Sequence, residues 1–99
     1  MKSTIHPTQR PKRLPHAVWK PLGKETVLLN TESGAYFSTN TVGLAIWEAC
    51  DGTRSLDDIT AQVAKSFGVP STRVARDATR FIAELHRRQL LDLLSPRTA

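Results

Sequence analysis

Long hydrophobic runs are absent from this sequence, and so are most of the residues that do chemistry. In 99 residues there is one cysteine, one tyrosine and three histidines. A lone cysteine, Cys50, cannot close an internal disulfide, so a reducing cytoplasm is the expected setting. No apolar stretch approaches the roughly 18 residues that a spanning helix needs. None follows Lys2 as a secretory signal would require. His6, His16 and His86 lie far apart, so no His/Cys set has the spacing of metal ligands. No Gly-rich phosphate loop and no Ser-His-Asp order can be read either. The expectation is a domain without metal or cofactor, and not an enzyme.

Acidic residues are missing from one region in particular. Six Lys/Arg and no Asp/Glu precede Glu25, whereas from Glu25 onward eight basic residues meet nine acidic ones. The net charge of +5 therefore belongs to the leading segment, and the body of the chain is nearly neutral. With Pro7, Pro11 and Pro15 among its charges, residues 1–15 read as a basic flexible arm. Residues 16–94 are then the folded domain and 95–99 a tail.

What is present is a change of period. Ala17–Lys20 is a short strand that Pro21 confines to an edge or an end. Thr26–Leu29 is a clearer strand, rich in β-branched and apolar residues. Thr31-Glu32-Ser33-Gly34 turns the chain, and Ala35–Ser38 returns. Successive strand residues face opposite ways, so Tyr36 and Phe37 cannot enter the same core. From Asn40 the spacing is helical: Asn40 caps a helix through Val42, Leu44, Ile46, Trp47 and Cys50 that Asp51-Gly52 ends. Ser55-Leu56-Asp57-Asp58 opens a second helix, with Leu56, Ile59, Val63 and Phe67 on one face and Gly68 stopping it. Ser71 starts the third and longest, carrying Val74, Ala78, Phe81, Ile82 and Leu85 inward, with Arg87 and Arg88 complementing its dipole. Leu90–Leu94 closes the chain as helix tail or short strand. Strands first and helices after give an α+β domain of the small winged-helix kind.

Few side chains invite a catalytic role. Cys50 ends an apolar helix face and reads as a small buried hydrophobe. Asp57 and Asp58 are adjacent on a helix and point about 100° apart, so they serve the helix dipole rather than acid–base work. Trp47 reads as core; Trp19 stays open. On the third helix Arg73, Asp77, Arg80 and Glu84 form a mixed-charge stripe beside the core stripe. That stripe is either a solvated face laced with ion pairs or the wall of a groove against a neighbouring strand.

The runs "VLLNTESGAYFSTNTVGLAIWEACDG", "SLDDITAQVAKSFGV" and "DATRFIAELHRRQLL" resemble the PqqD-like proteins, the RiPP recognition elements that bind leader peptides of ribosomally made, post-translationally modified peptides. The shared pattern is an apolar strand, Gly34 before an aromatic strand, the Asn40-Thr41 cap, Ile46-Trp47, Asp51-Gly52, and Asp77 ahead of Phe81 and Leu85. The resemblance implies a three-stranded antiparallel sheet packed on three helices. It also implies a leader peptide that adds as a further strand, with Ala35, Tyr36, Phe37 and Ser38 receiving it and Arg73, Asp77, Arg80, Phe81 and Glu84 as the wall. Either Tyr36 or Phe37 would face the guest. The implied partners are the leader of a precursor peptide and a processing enzyme, a leader peptidase or another RiPP-modifying enzyme. Family members often carry Gly before the final apolar pair, where this chain has Gln89. The Arg10-Pro11-Lys12-Arg13 cluster has little counterpart in the PqqD of pyrroloquinoline quinone synthesis, and the body looks more like the stand-alone recognition proteins of lasso-peptide clusters.

Three other readings compete. One is the PqqD-type chaperone of quinone synthesis. Another is a winged-helix DNA-binding protein with Arg73, Arg76, Arg80, Arg87 and Arg88 on a recognition helix, which Asp77 and Glu84 interrupt. The last is a structural subunit whose sheet edge pairs with itself.

Overall fold

The computed structural model describes residues 5–96. In chain order these form strands β1 (Arg10–Arg13), β2 (Ala17–Leu22), β3 (Glu25–Asn30) and β4 (Tyr36–Thr39). Helices α1 (Thr41–Glu48), α2 (Leu56–Phe67) and α3 (Ser71–Arg87) follow, and strand β5 (Leu91–Leu94) ends the fold. β2, β3 and β4 make a three-stranded antiparallel sheet in that order, and β1 pairs with β5 in a separate two-stranded one. The α+β architecture read from the sequence is the one observed.

Local chemistry explains most boundaries. Asn40 Oδ1 accepts from the Gly43 N–H at 2.9 Å and Ser55 Oγ from the Asp58 N–H at 3.1 Å, satisfying first-turn donors of α1 and α2. Gly68 ends α2 in the left-handed conformation, with φ 63°. α1 stops at Glu48 rather than running on through Cys50. α3 buries Val74, Ala78, Ile82 and Leu85 against Ile59 and Val63 of α2, Ile46 and Trp47 of α1, and Leu28 of β3. Phe81, expected inward with them, is only half-buried, and Phe67 lies exposed at the end of α2. Trp19, left open by the sequence, is 38% exposed, with its ring edge-on to the buried Trp47 at 5.4 Å.

The flexible arm expected over residues 1–15 is overturned where the structure describes it. Arg10–Arg13 is β1, in register with Leu94–Leu91, and Pro11 is buried. The reason lies in orphan polar groups elsewhere. Arg13 Nη1 donates to the carbonyls of Trp47 and Glu48 at 2.9 and 2.8 Å, at the end of α1 where helical acceptors are left over. Arg10 donates to Gly52 O at 2.7 Å and to Ser95 O at 2.9 Å. The carbonyls of Pro7 and Gln9 accept from the first-turn N–H groups of Asp57 and Leu56, both at 3.0 Å. Charges that look solvated in sequence act as caps for segments far along the chain. The folded unit thus begins well before residue 16; residues 1–4 and 97–99 lie outside the described residues. Leu91–Leu94 is a strand, not a helix tail, because β1 is there to pair with it.

Candidate functional site

The three-stranded sheet has two outer edges, and they differ. Asn30 N–H donates to Ala35 O at 2.8 Å, and Thr31 N–H donates to His16 O at 3.0 Å. In an antiparallel ladder the bonded pairs alternate. On β4, therefore, Phe37 and Thr39 turn their main-chain groups toward β3, while Tyr36 and Ser38 turn theirs outward. On β2 the outward positions are Ala17, Trp19 and Pro21. Pro21 has no N–H to offer there, so it sits in the sheet without breaking a bond and blunts that edge. β4 has no such block. It is the more open rail.

Side chains alternate as well. Tyr36 points to the outer sheet face, 67% exposed, in a cross-strand row with Leu29 and Val18. Phe37 points the other way and meets Phe81 of α3 with ring centroids 5.7 Å apart. The choice left open between the two aromatics thus falls on Phe37 for the groove side. Tyr36 reaches it only through its main chain.

The groove runs between β4 and α3. One end is an apolar cavity of about 430 Å³ lined by Val42, Gly43, Ile46, Val69 and Val74, with Thr39, Asn40, Arg73, Asp77 and Phe81 at its border. Asp77 and Phe81 also line the next depression, of about 590 Å³, with Phe37, Arg80, Glu84, Arg87 and Arg88. A third depression, of about 560 Å³, follows Gly34–Ser38 along the outer edge of β4 to Arg88. Shared residues make these one continuous trough with an apolar end and a charged end. Gly43 allows the close approach of α1 to β4: a Cβ there would run into Thr39.

Charge in the trough is organised by Glu84. It accepts from Arg87 Nη2 and from Arg88 Nε, each at 2.6 Å. These hydrogen bonds, that from Arg87 foremost, hold its carboxyl below the usual carboxylate range. Arg88 reaches further. Its Nη1 donates to the outward carbonyl of Tyr36 at 2.9 Å, and its guanidinium lies 5.0 Å from the centroid of the Phe37 ring.

Of the residues picked from sequence, Phe37, Asp77, Arg80, Phe81 and Glu84 come together in the charged half of the trough, and Arg73 stands at its apolar end. Ala35, Tyr36 and Ser38 lie along the edge depression, although Ala35 turns its carbonyl to β3. Sequence reasoning missed Arg88 as a site residue, and with it Thr39, Val42 and Val69. The Glu84–Arg88 spacing was a legible signal; the reach to Tyr36 was not. Cys50, by contrast, is fully buried and donates to Ile46 O at 3.1 Å, and burial pushes its thiol up to about 12.

The sequence pattern of the family described as Coenzyme PQQ synthesis protein D (PqqD) matches residues 25–91. This chain belongs to the PqqD family. The PqqD match spans β3 through α3, so it contains the whole trough, while β1 and β2 precede it. A PqqA binding protein of Rhizobium meliloti (strain 1021) is 35% identical over 74 residues, 75% of this chain and 74% of that protein. TbiB1, solved in complex with the TbiA(beta) leader peptide, superposes with a TM-score of 0.69 at 27% identity, covering 82% of this chain and 94% of TbiB1. A lasso peptide synthetase B1, solved with its leader peptide, shares the fold: TM-score 0.70, 19% identity, 84% of this chain and 98% of that one. Among the described residues no helix is long and apolar enough to cross a membrane.

Proposed function

We propose that this PqqD-family chain is a non-catalytic, cytoplasmic adaptor. It binds the leader of a ribosomally synthesised precursor, of the lasso-peptide or a related type, and delivers it to a processing enzyme. The guest adds as a fourth strand to β4. The observation that carries this reading is the asymmetry of the two sheet edges: the edge without a proline block is the one beside the trough. Main-chain bonds to Tyr36 and Ser38 would supply affinity, and side chains entering the apolar and charged halves would supply specificity. Relatives support it, since one is a PqqA binding protein and another is solved with a leader peptide. The DNA-binding alternative is weakened because Glu84 pairs with two of the arginines that a recognition helix would need.

The test is a titration of a labelled candidate leader, taken from a short precursor sought among the genes neighbouring this chain's own. Ser38→Pro removes an outward N–H without touching the β3 ladder. It should weaken binding by about tenfold or more while the melting temperature holds. Undiminished affinity in that folded variant rules out strand addition at β4. Binding of duplex DNA with steep salt dependence, and of no leader, reverses the ranking.

A further inference from the structure

β4 turns two main-chain acceptors away from β3, the carbonyls of Tyr36 and Ser38. The first is already engaged. Arg88 Nη1 donates to Tyr36 O at 2.9 Å, and three contacts fix the arginine in place. Its Nε donates to Glu84 Oε2 at 2.6 Å, its guanidinium lies 5.0 Å from the Phe37 ring centroid, and its own carbonyl accepts from the buried Asn30 Nδ2 at 3.2 Å. A guanidinium stays charged at any pH where the protein is folded. Its hydrogen bond is stronger than one from the neutral amide of a guest. A guest N–H therefore competes poorly for Tyr36 O.

We infer that Arg88 is the end-stop of the β4 edge. A guest strand donates to Ser38 O, and Arg88 stands in for the guest donor at Tyr36. The inference rests on the strand-addition reading above. It makes Arg88 a positioning residue with a defined task. A short edge strand specifies register weakly, and a guest free to pair along its full length could slide toward the Gly34 turn. With Tyr36 O occupied, sliding in that direction gains only the bond from the outward Tyr36 N–H and leaves the guest's own facing N–H unpaired, so one register is preferred.

The test uses a short linear peptide selected by display on the full chain and kept only where Ser38→Pro removes its binding. It is synthesised with a single N-methyl amide at each position in turn. Each version is titrated against the wild type, Arg88→Ala and Glu84→Ala, with thermal melts to confirm that all three are folded. In Arg88→Ala one additional position should become sensitive, losing about tenfold in affinity on N-methylation. It should lie two residues from the position that faces Ser38, because Tyr36 O now accepts from the guest. Glu84→Ala, which unfastens the guanidinium, should show the same position with a smaller loss. An identical set of sensitive positions in wild type and Arg88→Ala overturns the end-stop and leaves strand addition standing. Failure to obtain any peptide whose binding Ser38→Pro removes overturns strand addition and the end-stop together.

Discussion

The rings of Phe37 and Phe81 meet with centroids 5.7 Å apart and planes tilted by 43°. Through them β4 and α3 are joined across the floor of the trough, so one aromatic pair supports both the sheet edge and the surface beside it. Both rings are half-buried. Truncating either to alanine should cost about 2 kcal/mol, below the range for a fully enclosed ring. A double-mutant cycle should return a coupling of about 0.5–1.5 kcal/mol by urea unfolding. Tyr36→Ala, on the opposite sheet face, should stay within about 0.5 kcal/mol of wild type.

Gly43 lies in the first turn of α1 for a packing reason. A Cβ built there collides with the Thr39 hydroxyl and stands 2.9 Å from Thr39 Cβ. Gly43→Ala should therefore destabilise by about 1–3 kcal/mol, although alanine is the better helix former. Adding Thr39→Ala should recover part of the loss. Equal losses in the single and double variants would place the clash elsewhere.

Gln89 holds a left-handed backbone, with φ 59°, the one non-glycine residue among those described to do so. Its carbonyl accepts from His16 and from Asn30 at 2.9 and 3.1 Å, bonds that keep the junction between α3 and β5 in this shape. Gln89→Gly should relieve the steric cost and stabilise by about 0.5–1 kcal/mol after glycine's own entropy is charged. A melting temperature higher by about 2–5 °C would report it.

The Cys50 thiol, raised by burial from 9.0 to about 12, gives a pH dependence of known sign. The folded state favours the neutral thiol, so its contribution is complete below pH 9 and declines as pH rises toward 12. Across that window unfolding should become easier by up to about 1.4 kcal/mol per pH unit from this group. Cys50→Ala should be less stable at neutral pH, through the cavity it leaves. It should also show a flatter alkaline limb. Parallel limbs in the two proteins would assign the alkaline loss to other groups. In the native protein iodoacetamide should label Cys50 only on unfolding.

Which features could be read in advance follows from how far apart the interacting groups lie. The caps at Asn40 and Ser55 bind an N–H three residues on, and Gly68 closes a helix on its own turn. The stripe of Val74, Ala78, Ile82 and Leu85 repeats within one helix. Such features are local, and residue type at fixed spacing announces them. Family membership rides on the same local order, which is why the resemblance and the observed fold agree over β3 to α3. The arm was misread because nothing near Arg10 or Arg13 in sequence shows that carbonyls await them 34 to 85 residues away.

The sequence by itself determined the three strands of the larger sheet, the three helices and most of their buried faces, since periodicity and capping are properties of neighbouring residues. Tertiary structure alone decided three things. It paired Arg10–Arg13 with Leu91–Leu94, it turned Phe37 rather than Tyr36 toward α3, and it brought Arg88 to the carbonyl of Tyr36 across 52 residues of chain. Each depends on ladder register and on the angle between elements, which arise only when the sheet and α3 share one core.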